Sequence, residues 1–417
     1  MNNIIQATRD YERWLGRHMP LVPAHLRLKH DHMREGIFPF FRATFYRWAQ
    51  IWPTLCPELA KAPKALAVGD LHVENFGTWR DVEGRLVWGI NDFDEAATQP
   101  YTGDLVRLVA SALLAGTQEL LSLNQLAVAD AILEGYHDGW RAGGRPFLLG
   151  EKNKRLLQMA QGELRSPIVF WRKIDSLKRL KQAPRQVHRA IRPLLPQPDL
   201  PMTFAARVCG LGSLGRPRYV ALAEWRGARV VREAKAMAPS AMVWAGHANE
   251  GRGVLYQQIL DRAVRCSDPF VRVEGAWLVR RLSPDCSRIE LADLPARRDE
   301  LRLLYCIGWE TANIHCGTPK ARKRVEADLA KRRPSWLLKG SPRDGPSSNQ
   351  RLEGLEAWDG SIDASHFLNC SPIDISLSEQ SFWRSEESSD SRSGDTVSSF
   401  SGQEPQAKPR GIHPRQC

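Results

Sequence analysis

Long apolar runs are missing from this sequence. No uninterrupted hydrophobic stretch approaches the roughly 20 residues that span a bilayer, and the best candidate, near Leu105 to Leu114, is broken by Arg107. A membrane partner is therefore not expected. The start, MNNIIQATRDYERW, lacks the basic opening and apolar core of a secretory signal, and the expectation is a cytoplasmic chain. Paired cysteines are missing too. Cys56, Cys209, Cys266, Cys286, Cys306, Cys316, Cys370 and Cys417 form no CxxC, a spacing that suits neither a zinc knuckle nor a redox dithiol, and they read as reduced filler residues. There is no internal repeat.

What is present is enough for a large enzyme. The chain has 417 residues, 42% of them hydrophobic, which allows a substantial core. The net charge of +12 is uneven: the first 334 residues hold 51 basic and 35 acidic side chains, and the remainder 8 and 12. A surplus of this kind favours anionic partners such as nucleotides, phosphorylated substrates or nucleic acid. The stretch RLKQAPRQVHRAIR has few aromatics for base stacking. A solvated basic helix explains it more simply, and nucleic acid is not the expected partner.

Along the chain, residues 1–64 read as a helical, aromatic-rich segment. Residues 65–200 open with a strand through ALAV into a polar loop, then a turn at Glu83-Gly84 and a strand RLVWGI ending in acids, followed by helices. Residues 201–290 return to strands: strand, glycine loop, strand, a turn at Arg226-Gly227, and the strand ARVVREAKAM. Helices follow over 291–338. From 339 to 417 the chain is serine-rich, with little periodicity, and reads as a disordered tail.

The sharpest motif is GDLHVEN, Gly69 to Asn75, followed by NDFD, Asn91 to Asp94. Phosphoryl transfer needs a carboxylate near the acceptor hydroxyl and oxygen ligands for magnesium. An Asp followed five residues later by Asn supplies both from one loop, and a carboxylate on the next strand completes the metal site. Asp70 then serves the acceptor, Asn75 and Asp92 the Mg²⁺, with His72 and Asp94 in support. Read singly, GDLH is a strand-end turn and DFDEA an acidic cap. Together, each closing an apolar strand, they favour a site. A two-metal phosphoesterase is the rival, but His25, His30, His32, His137, His188, His247 and His315 form no companion motif.

Gly210-Leu211-Gly212-Ser213-Leu214-Gly215 matches GxGxxG. A dinucleotide loop has the same letters but opens a helix. Here RPRYVALAEW reads as strand, so the loop lies between strands, as where backbone N–H groups cover nucleotide phosphates. Lys235, on the third strand, suits the α- and β-phosphates of ATP. Arg232 competes with it on the same strand, and Glu250 is a candidate ion-pair partner. Asp104 and Arg107 follow the acidic loop; read from the residues, Asp104 is a helix N-cap. Lys29 and Arg42 could meet substrate anions or lie on solvated helix faces.

The glycine loop comes about 140 residues after the catalytic loop, the reverse of the usual kinase order. Either the halves are unrelated or the chain is circularly permuted. The helix ending ETANIHCG is similar to the one that leads into the Gly-Asp loop in aminoglycoside-phosphotransferase-like kinases. Over roughly residues 20–338 the chain resembles the bacterial domain of unknown function 2252 family, assigned to the kinase-like superfamily. The resemblance rests on FFRAT (Phe40 to Thr44), GDLHVENFG, INDFDEA, GDLVRL (Gly103 to Leu108), GLGSLG with REAKA, and the GxxxAxxH run Gly308 to His315. Val68 departs from small-molecule kinases, many of which carry His there. The resemblance implies nucleotide use without naming a substrate. Similar kinases place an Asp-Leu pair just after the acidic loop to brace the catalytic segment, and the resemblance implies that role for Asp104.

The expected fold is α+β: a kinase-like two-lobed domain, circularly permuted, with a disordered C-terminal tail. The expected function is ATP-dependent phosphotransfer to an unidentified hydroxyl acceptor. A catalytically silent nucleotide-binding module and AMP transfer by the same site are the alternatives.

Overall fold

A computed structural model describes residues 3–115, 125–161, 166–248, 253–286, 297–332, 336–338 and 379–380. The expectation of a disordered tail falls outside these residues, apart from Glu379 and Gln380.

The aromatic-rich opening folds into α1 (Ile4–Gly16), α2 (Pro23–Glu35), α3 (Ile37–Ala43), α4 (Phe45–Leu55) and the single turn α5 (Pro57–Ala60). Asn3 caps α1 by accepting from the Gln6 N–H at 2.8 Å. Tyr11 of α1 stacks on Tyr46 of α4 with ring centroids 4.5 Å apart, an apolar contact that fixes one helix on the other.

Four short strands follow: β1 (Lys64–Ala67), β2 (Phe76–Arg80), β3 (Leu86–Ile90) and β4 (Ala97–Pro100). The turn expected at Glu83-Gly84 joins β2 to β3 as an antiparallel hairpin, with Gly84 at φ +74°. β1 instead pairs with β4, a strand that polar Thr98 and Gln99 conceal in the sequence. α6 (Tyr101–Ala115) then runs through the centre with every residue but Leu113 buried. A helix enclosed on all sides loses its amphipathic signature, and it carries Asp104 and Arg107 into the core.

After α7 (Gln125–Arg141) come β5 (Phe147–Leu148), α8 (Lys154–Gln161), α9 (Pro167–Asp175), β6 (Arg179–Leu180) and α10 (Arg185–Ile191), then β7 (Thr203–Ala206), β8 (Arg218–Trp225) and β9 (Ala228–Ala236). Arg226 at φ 50° and Gly227 at φ 76° form the tight β8–β9 turn expected there. The single turn α11 (Ala241–Trp244), α12 (Tyr256–Arg262), β10 (Arg272–Glu274) and β11 (Trp277–Arg281) complete an antiparallel sheet of order β10-β11-β9-β8-β7-β6. Alternation along its strands separates two faces. Val220 and Val231 pack against Phe170 and Ile174 of α9, while Ala221, Ala234 and Val279 pack against Val187 and Ile191 of α10. The glycine loop therefore joins antiparallel strands, as read from the sequence. Helices and antiparallel sheet give the expected α+β class.

α13 (Arg297–His315) and α14 (Arg322–Lys331) follow. α13 lies along α7 in close contact: a Cβ on Gly308 would stand 2.0 Å from the Ile132 carbonyl oxygen, and one on Gly135 1.9 Å from that of Tyr305. Gly308→Ala should therefore push the two helices apart and lower unfolding stability by about 2 kcal/mol or more, as overpacking does. Chemical denaturation beside wild type checks this; an unchanged midpoint would mean the helices yield freely.

Candidate functional site

The Gly-Asp loop is held from beneath. β1 delivers the chain to Val68 and Gly69, whose N–H groups donate to the two oxygens of Asp104 at 2.7 and 2.9 Å. Gly69 sits at φ +84°, where a Cβ would meet the Glu95 carbonyl oxygen at 2.1 Å, so glycine is required. Asp104 also accepts from Gln99 Nε2 at 2.9 Å and meets His315 Nε2 at 3.1 Å. Tyr136 Oη lies 3.0 Å from His315 Nδ1. Four elements converge on this carboxylate, which is the brace expected of Asp104 and not a helix cap.

Asp70 follows directly. Its Oδ1 accepts from Arg107 Nε at 2.9 Å and from Nη2 at 2.5 Å. Arg107 is fully enclosed, also donates to the Phe41 carbonyl, and lies over the Phe41 ring at 4.1 Å. Burial pushes the Asp70 carboxyl above the usual carboxylate range; Arg107 pulls it down and nearby Asp92 pushes it up, leaving it raised.

Asn75 closes the short turn Val73–Asn75, its Oδ1 accepting from the His72 N–H at 2.6 Å. His72 Nδ1 in turn accepts from the Glu74 N–H at 3.3 Å, so this ring shapes the turn. The Asn75 carbonyl accepts from the Asn91 N–H at 3.0 Å, which seats the second acidic motif beside the first.

Lys235 Nζ lies 3.5 Å from Asp92 Oδ1 and in tight ion contact with Asp94. Burial raises the Asp92 pKa, but Lys235, a hydrogen bond with Asp94, Arg280 and Arg218 outweigh it, and the group lies well below the ordinary range. Asp94 goes the other way, raised by burial and by Asp92 against the pull of Lys235 and Arg216. Arg232 requires a correction. Strand alternation turns it to the α10 face, where Nε donates to the Leu194 carbonyl at 2.8 Å, away from the carboxylates. Glu250 lies outside the described residues; the acids that meet Lys235 are Asp92 and Asp94.

The glycine loop closes over this assembly. Gly210 takes φ +78° and Gly215 φ +96°. Ser213 Oγ donates to the Gly210 carbonyl at 3.2 Å and accepts from Arg218 Nη2 at 2.5 Å. A Cβ on Gly212 would stand 3.3 Å from Asp70 Oδ2, so the loop backbone reaches the oxygen that Arg107 leaves free. Arg216, just past the loop, donates to Glu95 at 2.8 Å and lies 3.7 Å from Asp94, both within the core. Sequence reading missed Arg216 and Glu95 and gave Arg107 no role. The basic run RPR after the glycine loop was the signal.

Two cavities meet at Asn91, Asp92 and Gly210. The larger, about 770 Å³, lies between the sheet and α9 and is lined by Phe93, Phe170, Tyr256 and the cations Lys173, Arg207 and Arg280. The smaller contains Asp70, Asn75, Lys29, Arg42, Tyr46 and Gly212. Among the described residues no group of three or more His, Cys, Asp or Glu side chains is arranged to hold a metal ion. No helix among the described residues is long and apolar enough to cross a membrane.

Residues 21–162 match the family model described as an uncharacterized protein conserved in bacteria, DUF2252. The match takes in both acidic motifs, Asp104 and Arg107, and stops before the glycine loop. No curated protein and no solved structure matches the chain.

Asp104→Ala would leave two backbone N–H groups and the His315 ring without their buried partner, a loss of about 3 kcal/mol or more. His315→Ala removes one partner of four and should cost less. Melting curves of both variants rank the effects, and equal losses would contradict a central role for Asp104.

Proposed function

We propose that this chain is an ATP-dependent phosphotransferase with a kinase-like site assembled in permuted order. The approach of Gly212 to Asp70, within 3.3 Å of where a Cβ on the glycine would stand, carries the proposal: the glycine loop, Lys235 and the acidic motifs converge although about 140 residues separate them. Asp70 is the group that orients and deprotonates the acceptor hydroxyl, and its raised pKa suits a base. Backbone N–H groups of the glycine loop suit nucleotide phosphates, and the larger cavity has room for the rest of the nucleotide; Lys235, enclosed and paired with Asp92 and Asp94, would reach a phosphate by exchanging those carboxylates for it. Mg²⁺ takes few protein ligands and fills its shell from phosphate and water. Asp92, with its side chain 37% exposed, and neighbouring Asn75 offer hard oxygens of that kind. When bound, the ion would neutralise phosphate charge.

The permutation finds support at the C-terminus of α13. There Thr318 Oγ1 accepts from the Leu66 N–H of β1 at 2.8 Å, so the end of that helix adjoins the strand that leads into the Gly-Asp loop. AMP transfer uses the same residues and differs only in product.

Purified protein given γ-labelled or α-labelled ATP, Mg²⁺ and cell extract should pass label to an acceptor. Asp70→Asn should reduce transfer by about 10²–10⁴-fold, the usual loss for a general base, and Asp92→Asn should reduce it as well, with melting curves verifying that both variants fold. Label that survives both substitutions would refute the site, while nucleotide-induced stabilisation without any transfer would favour the silent module. The pH profile offers a separate check. A base must be ionised, and Asp70 ionises above the usual carboxylate range. Activity should therefore fall on acidification at a pH above that range. Arg107→Met, which removes the main opposing cation, should move that limb higher still.

A further inference from the structure

Four of the five cations at or beneath the smaller cavity already have carboxylate partners. Arg107 holds Asp70, Arg42 holds Glu74 at 2.6 Å, Arg216 holds Glu95 at 2.8 Å, and Lys235 holds Asp92 and Asp94. Lys29 is the exception. It projects from α2 into the cavity wall, is 3% exposed, and among the described residues takes no hydrogen bond and no ion pair. Its amine rests 5.3 Å from the Tyr46 ring centroid, which offers a cation partial compensation only. Burial lowers its pKa to about 8, with the charges of Glu12, Glu95 and Asp70 opposing and that of Arg216 assisting. At neutral pH it is still mostly cationic.

An enclosed cation without a counter-ion is costly unless something pairs with it. Lys29 shares its cavity with Asp70, and the space, about 50 Å³, is several times the roughly 10–15 Å³ that one water needs. We propose that Lys29 is an anion-binding residue of the acceptor site, and that the acceptor carries a small anionic group, carboxylate or phosphate, beside the hydroxyl that Asp70 serves. The acceptor class rests on the phosphotransfer proposal; anion binding at Lys29 does not. The paired arginines are less suited to the task, because an acceptor would first have to displace their carboxylates. A cationic acceptor would meet Lys29 repulsively.

Anion binding can be tested without nucleotide or a known acceptor. Melting temperatures of the full chain would be measured at constant ionic strength in chloride, acetate, glycerate, inorganic phosphate and glycerol 3-phosphate, with glycerol and 3-aminopropane-1,2-diol as neutral and cationic controls. At about 50 mM, a carboxylate or phosphate that binds in the millimolar range should raise the wild-type midpoint by about 1–2 °C over chloride. The rise should vanish in Lys29→Met and persist in Lys29→Arg. Whichever arm responds, carboxylate or phosphate, names the group. A wild-type response no larger than that of Lys29→Met, or a preference for the neutral or cationic diol, overturns the proposal. Should Lys29→Met not fold, Lys29→Gln provides the same comparison. An anion response without label transfer would preserve the anion site and sink the phosphotransfer reading; transfer without an anion response would do the opposite.

Discussion

Asp104 accepts two consecutive backbone N–H groups from the Gly-Asp loop while a ring from α13 and an amide from the end of β4 close around it. A buried carboxylate is tolerable only when its lone pairs are taken, and here the partners that take them are the pieces that must be aligned. The loop acquires a fixed height, α6 a fixed rotation, and α13 a fixed register against β1. From that rotation Arg107, one turn further along α6, points at Asp70. Asp70 is thus positioned by a second carboxylate, Asp104, that does not line the cavity.

The rest of the site is an exercise in pairing charges at short range in a poorly solvated space. Asp92 and Asp94 diverge in acidity because Lys235, Arg216 and each other's charge reach them unequally. Behind the glycine loop, Glu233 receives Arg207, Arg218 and Arg280. This ties together the strands that flank the loop and places three of the chain's 59 basic side chains around one acid. The basic surplus is therefore partly internal, which a net charge cannot reveal.

Much of this was legible beforehand, for physical reasons. The two acidic motifs stood out because each terminates a short apolar strand, and the loop at Gly210 to Gly215 because its flanks read as strands. The β8–β9 turn followed from Arg226-Gly227, where positive φ is needed. Illegible were the contacts that depend on tertiary geometry. Arg232 and Lys235 differ only in strand parity, which decides their faces once the sheet is built. Arg216 reads as another surface arginine until Glu95 is found beside it, and β4 hides behind polar residues, Thr98 exposed and Gln99 turned to Asp104.

Asp92 borders both cavities, and from that position a constraint follows. Whatever enters one side alters the field and the ionic contacts of a carboxylate that the occupant of the other side also experiences. By linkage the effect must be mutual: if the first guest favours the second, the second favours the first by the same free energy. The two chambers are therefore thermodynamically coupled where they meet, at Asn91, Asp92 and Gly210.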